Sequence, residues 1–227
     1  MPGDSTTEAF LRFLESAPMR YERLVLVGDI FDLWIARRRF HLPHHDVVLA
    51  ALARSAAAGL AVDYVVGNRD YAVETLEPSP FARVAPIVLL DPASTPAWAA
   101  EHGDLANDED TRYHAWRRVS RSAPVLGSFL RLPGFVGRPL SLWLERRMRT
   151  SNLAYKRRFP LEHVTSHAER VLASTAARFV VFGHFHEERR FSISGGEVLV
   201  LPDWKRSRRH AEWRPDTATM VFAPSLD

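Results

Sequence analysis

Residues 179–186 read Phe179-Val180-Val181-Phe182-Gly183-His184-Phe185-His186, an apolar run that stops on a glycine and then delivers two imidazoles. A run of four apolar residues ending on Gly reads as a buried strand followed by a turn. Three other places repeat the pattern. Leu24-Val25-Leu26-Val27 leads into Gly28-Asp29, Val62 to Val66 into Gly67-Asn68-Arg69-Asp70, and Ala97 to Ala100 into His102-Gly103-Asp104. Strand ends carrying an Asp, an Asn, a His and a His-x-His converge naturally on one rim of a sheet. A lone histidine is more often surface or satisfied core, but five such positions at four strand ends make a poor coincidence. Asp29 offers a carboxylate able to bridge two cations, and Asn68 a neutral amide oxygen. His102, His184 and His186 offer imidazole nitrogens suited to Mn²⁺, Fe²⁺ or Zn²⁺. The set suits a divalent metal site built for phosphate-ester hydrolysis.

Composition fits that reading. The chain has 227 residues, 46% hydrophobic and 25% charged, the make-up of one globular domain. The absence of cysteine excludes disulfides, iron–sulfur clusters and thiolate zinc, and fits a reducing compartment. No apolar run reaches the roughly 18 residues of a membrane span, and the opening residues do not read as a signal peptide. Net charge is only +3, but arginine is clumped, at 37–39, 146–149, 156–158, 189–190 and 205–209. Such clusters favour anionic ligands or an anionic bilayer, while the plainer reading of any one of them is a solvated surface. No nucleic-acid-binding motif is present, so no nucleic-acid partner is expected.

The order of elements reads α-β-α-β at first. Ser5-Thr6-Thr7-Glu8 is a capping-box pattern opening a helix over 9–17, followed by a strand at 24–28, a helix from Asp46 to Ala58 closed by Gly59, and a strand at 61–66. Strands at 86–90 and 97–101 flank an Asp91-Pro92 turn, a helix covers 109–121, and two hairpins lie at 190–201 and 211–222. This is the pattern of a two-sheet α/β sandwich covered by helices. Residues 122–160 are too apolar for a linker and, with Pro124, Pro133 and Pro139, too interrupted for one long helix. Either a helical cap with an exposed greasy face or a helical pair packed on the core explains them. His41, His44 and His45 follow Arg37-Arg38-Arg39 and read as an exposed polar loop.

The set GD, GNxD, HGD and GHxH resembles the calcineurin-like metallophosphoesterases over nearly the whole chain. Gly28-Asp29-Ile30-Phe31-Asp32-Leu33-Trp34, Arg69 where most of that group carry His, and the insertion ending in Arg147-Met148-Arg149 are similar to its UDP-2,3-diacylglucosamine diphosphatase branch. The resemblance implies an αββα sandwich, a single domain over 1–227 with a helical lid insertion at about 122–160. It also implies a metal-dependent phosphoric-anhydride hydrolase that cuts a lipid-linked nucleotide sugar into 2,3-diacylglucosamine 1-phosphate and UMP for lipid A biosynthesis. Asp29, Asn68, His102 and His184 would hold one cation and His186 would serve the other, two divalent cations of the Mn²⁺ kind. Asp29, Asn68 and His102 would carry the catalysis. Arg69 would grip phosphate, its plainer alternative being a salt bridge to Asp70 or Asp32. Asp70 and Asp104 would steady the ligands from behind. Asp110, Tyr113, Ser151, Asn152 and Lys156 would contact the nucleotide or the glucosamine. A doubly acylated substrate would draw the enzyme to the cytoplasmic, inner face of the bacterial inner membrane as a peripheral protein.

One departure matters. The family pattern opens with a strand ending in Asp-x-His, and this chain has none before Asp29; its first His is His41. The second cation site is therefore incomplete, and an interior strand would be missing from its sheet. Either the natural product begins upstream, which the intact remainder of the set favours, or this is an impaired relative with one metal or none. A phosphoesterase of another substrate, such as a dinucleoside polyphosphate or a phosphoprotein, and a catalytically dead scaffold are the readings left beside the lipid-linked one.

Overall fold

The computed structural model describes residues 5–90, 98–155 and 159–225, with the backbone alone for 149–155. Helix α1 (Ser5–Ser16) and a 3-10 turn lead into strand β1 (Arg23–Leu26). Strand β2 (Trp34–Ile35), helix α2 (Pro43–Ala57), and strands β3 (Ala61–Val65), β4 (Asp70–Tyr71), β5 (Arg83–Ala85), β6 (Ile87–Leu90) and β7 (Trp98–Glu101) follow. Helices α3 (Thr111–Ser120), α4 (Ala123–Leu130), α5 (Gly134–Tyr155) and α6 (Leu161–Thr175) precede β8 (Phe179–Phe182), β9 (Arg189–Ile193) and β10 (Gly196–Val200). A short helix α7 (Trp204–Ser207) and the hairpin β11 (Arg209–Arg214) and β12 (Thr219–Pro224) close the order.

Two sheets form the centre. One is parallel, in the order β1-β3-β5; the other has the order β6-β7-β8-β10-β9, with β7, β8 and β10 parallel and the outer strands antiparallel. Strand β8 shows why the layers stack. Its alternate residues Val180 and Phe182 pack against α6 through Val164 and Ala168, while Phe179 and Val181, beside Leu199 of β10, face Val65 of the other sheet. A strand covered on both faces has no need of polar alternation, which is why 179–182 is unbroken apolar sequence. The outer face of the first sheet is covered by α1 and α2, with Phe13, Leu14, Leu52, Val62 and Tyr64 in one cluster. The result is the helix–sheet–sheet–helix sandwich expected from the sequence.

Some expectations need correcting. Helix α1 already includes Ser5, so the capping-box residues lie inside the helix rather than before it. Helix α2 starts three residues earlier than Asp46, because Pro43 fits the first turn, where no N–H partner is needed. The sequence over 122–160 does contain one long helix. Pro124 opens α4, Pro133 separates the two helices, and Pro139 sits inside α5, near its start, without ending it. The Asp91-Pro92 turn lies outside the described residues. Strand β1 is an edge strand whose one partner among the described residues is β3. A cleft of about 1480 Å³ runs along its open side, lined by residues 20–32, by Leu89 and Val181 of the facing sheet, and by Trp213 and Met220 of the separate β11–β12 hairpin.

Candidate metal centre

The cleft ends where β1, β3, β7 and β8 deliver their last residues. After β1, Asp29 turns into the left-handed region at φ 53°. After β3, the turn 67–70 passes so close that a side chain at Gly67 would overlap the Asp29 carboxylate. Asp70, fully buried, fastens the two turns by accepting the amides of Gly67 at 2.7 Å and Asp29 at 3.0 Å. Asp29 Oδ1 in turn accepts the Arg69 amide at 2.9 Å. That leaves Asp29 Oδ2 facing outward, 3.4 Å from His102 Nε2 and 3.5 Å from Arg69 Nε. Asn68 Oδ1 lies 3.0 Å from the same imidazole nitrogen. His184, also left-handed at φ 50°, sets its ring edge-on to His102 with centroids 5.2 Å apart.

These residues fit a divalent cation, and the reason lies in the tautomer. His102 Nδ1 donates to the Val27 carbonyl at 2.8 Å, so its Nε2 is the nitrogen turned toward Asp29 and Asn68. Three electron-rich atoms then face one another, an arrangement that repels unless a positive charge is shared between them. Burial alone would lower the His102 pKa, but Asp29, Asp104 and the Val27 carbonyl outweigh it and lift it to about 9. A proton there does what a cation would do. Burial would raise Asp29, but His102 and Arg69 bring it to about 2. Burial, with the charge on His102 near by, pushes His184 down to about 3, so its imidazole is a neutral donor. Burial and the neighbouring Asp29 raise Asp70 to about 6.

The other site residues read from the sequence are less central. His186 lines the same cleft nearer its mouth, 3.9 Å from Asp203. Arg69 is buried, its Nη1 donating to the Asp32 carbonyl at 3.2 Å and lying 3.5 Å from the Asp32 carboxylate. Its ionic partners are thus Asp29 and Asp32, not Asp70. Lys205 Nζ reaches the same Asp32 oxygen at 2.9 Å, giving the cleft a second cation that the basic run 205–209 concealed. Asp104 accepts the Tyr113 hydroxyl, and Arg117 Nε at 2.8 Å, rather than holding His102 directly. Asp110 caps α3, accepting the Tyr113 amide at 2.9 Å. Ser151 and Asn152 belong to α5 with side chains outside the described set, as Lys156 is entirely.

His41, His44 and His45 are not on an exposed loop. His41 and His45 are buried, and His44 Nε2 bonds to the buried Glu145 of α5 at 2.9 Å. With His45 Nε2 they bring three donor atoms within 4.8 Å of one another, close enough to hold a metal. However, His45 Nδ1 accepts the Leu42 amide at 3.3 Å, which leaves the proton on Nε2. The group also sits in the first turn of α2, where backbone N–H groups favour an anion. It reads better as the anchor of a carboxylate, fastening α5 to the body.

No family model matches the chain. Individual relatives do. A UDP-2,3-diacylglucosamine hydrolase of Ralstonia nicotianae is 30% identical over 219 residues, covering 88% of this chain and 78% of the relative. Enzymes of the same name from Chromohalobacter salexigens and Salmonella agona are 27% and 26% identical, covering 89% and 95% of this chain and 83% and 91% of theirs. Among solved structures, a phosphopantetheinyl hydrolase of Mycobacterium tuberculosis aligns over 81% of both chains at 13% identity and a TM-score of 0.34, too loose to bear on the fold. On the identity it shares with these relatives along most of its length, this hydrolase belongs to the UDP-2,3-diacylglucosamine hydrolase family of metallophosphoesterases.

Proposed function

We propose that the protein hydrolyses the pyrophosphate of UDP-2,3-diacylglucosamine, giving 2,3-diacylglucosamine 1-phosphate and UMP, at the site formed by Asp29, Asn68, His102 and His184. The observation that carries this is the meeting of those donors, from four strand ends, at the end of a cleft that also holds Arg69 and Lys205. A divalent cation, Mn²⁺ by preference, would be held by these four residues with His186 at the mouth, and would supply Lewis acidity toward a phosphoryl oxygen and toward water. The side chains do the rest. The Arg69 guanidinium, its charge fixed and its donors planar, exchanges Asp29 and Asp32 for two phosphoryl oxygens. Lys205, sharing Asp32 with it, meets the second phosphate. The Val27 carbonyl keeps the His102 Nδ1 proton in place, and Asp70 keeps the turns of Asp29 and Asn68 from parting.

The cap supports the lipid part of the reading, as a helical insertion on a single domain. One face of α4 and α5 packs Leu126, Phe129, Leu130 and Leu144 on Leu33, Ile35, Phe40 and Tyr71. The other leaves Phe135 81% and Trp143 54% exposed, the latter with Arg147 over its ring. Apolar side chains set among arginines suit an anionic bilayer surface. No helix among the described residues is long and apolar enough to cross a membrane. The protein would therefore act from the inner face of the inner membrane as a peripheral enzyme. Incubation of the purified protein with the lipid-linked nucleotide and Mn²⁺ should release UMP, and chelation should stop it. Release of the alcohol from a simple phosphodiester, leaving its phosphomonoester, but no UMP from this substrate would point to the broader metallophosphoesterase reading.

A further inference from the structure

We infer that Arg121 is a positioning residue for Asn68 and Arg69, and that α3 braces two of the ligand turns, those after β3 and β7; this rests on the reading above. Arg121 follows the last turn of α3. Its Nη2 donates to the Gly67 carbonyl at 2.6 Å and to the Asp70 carbonyl at 2.9 Å, the two ends of the turn that carries Asn68 and Arg69. Its guanidinium lies over the Tyr71 ring, 5.0 Å from the centroid, which fixes the plane from which it donates. Between its own backbone groups the turn has one long bond, Asp70 N–H to the Gly67 carbonyl at 3.3 Å, beside the Gly67 amide's bond to the Asp70 carboxylate at 2.7 Å. One nitrogen bonded to both ends sets the width of that turn, and hence where the Asn68 amide oxygen and the Arg69 guanidinium point.

The same helix face grips the neighbouring turn. Arg117, four residues earlier, bonds Asp104 at 2.8 Å, and Tyr113, four earlier again, gives its hydroxyl to the same carboxylate, two residues beyond His102. Residues at that spacing lie one above another on a helix. Helix α3 also leads straight into α4, so the brace stands at the joint between cap and metal centre.

Arg121→Met should lower kcat about 10–100-fold while KM changes by less than about threefold, because a small misplacement of the reacting groups is what it causes. Arg121→Lys, able to reach one carbonyl only, should fall between. Amide hydrogen exchange should quicken in residues 66–71 of the Met variant and stay unchanged in β1 and β8. Exchange reads the brace whether or not UMP is released. If the wild-type protein releases no UMP yet exchange quickens locally, the brace stands and the substrate assignment falls. Unchanged exchange in 66–71, loosening spread over the whole chain, or a raised KM at constant kcat would each overturn the inference.

Discussion

Three of the candidate cation ligands, Asp29, His184 and His186, hold left-handed backbone conformations that side-chain-bearing residues avoid. Each such conformation costs about 1–2 kcal/mol and persists where the surroundings enforce it. His186 has the fewest ties, so His186→Gly should raise unfolding stability by up to about 1 kcal/mol while weakening cation binding. A loss of stability in denaturant titration would show that no strain is stored there. Removing a donor outright should cost more than removing a residue that merely orients one. Asn68→Ala or His102→Ala should lower turnover at least about 100-fold, with the melting temperature little changed for half-buried Asn68 and lowered for His102, whose loss also unpairs the Val27 carbonyl. The donors were legible in the sequence because each stands just past an apolar strand. Asp110 and Tyr113 leave a weaker signal, since a helix cap and a hydroxyl–carboxylate bond use the same residue types as a substrate contact. Arg121 carried no signal at all among its neighbouring arginines.

At the scale of elements, helix α5 is seated by two fits that sequence periodicity does not show. A Cβ at Gly137 would overlap the ring of Phe40, which is fully buried and has nowhere to go. Gly137→Ala should therefore push α5 off the body, destabilising by about 1–3 kcal/mol, measurable in urea. The second fit is Glu145 against His44 and His45. Burial, with His44 and His41 beside it, holds His45 down at about 2 against an ordinary 6.5. Folded, it stays neutral; unfolded, it takes a proton below 6.5. Its contribution is whole above that pH and declines at up to about 1.4 kcal/mol per unit as the pH falls toward 2. Burial lowers His41 as well, adding to the same slope. His45→Gln, which keeps the bond to the Leu42 amide, should flatten the decline in melting temperature between pH 6.5 and 5. An unaltered slope would remove His45 from the acid response. His41 and His45 are buried, against the reading of an exposed loop, because their rings pack on Trp34 and Phe31 and because Glu145 of α5, a hundred residues away, comes to His44, none of which a local pattern shows.

Across the whole molecule, the sandwich was legible because its central strands are apolar on both faces. What sequence could not show was the charge placed in the first sheet. Asp63 of β3 is fully buried, bridged by Arg23 of β1 at 2.8 Å and Arg83 of β5 at 3.3 Å. The arginines can turn to water, but the carboxylate cannot. Asp63→Asn should be mild, whereas replacing both arginines by Met should cost about 3–5 kcal/mol, as a denaturant midpoint would record. The edge of β1, open among the described residues, and the cleft beside it adjoin the candidate metal centre. That centre is best tested by titrating Mn²⁺ into chelator-treated protein and following its electron paramagnetic resonance signal. The wild-type protein should bind the ion with a protein-ordered signal that Asp29→Ala and His102→Ala each abolish. Equal binding by wild type and both variants, or no binding by any, would contradict a cation site built from these four strand ends.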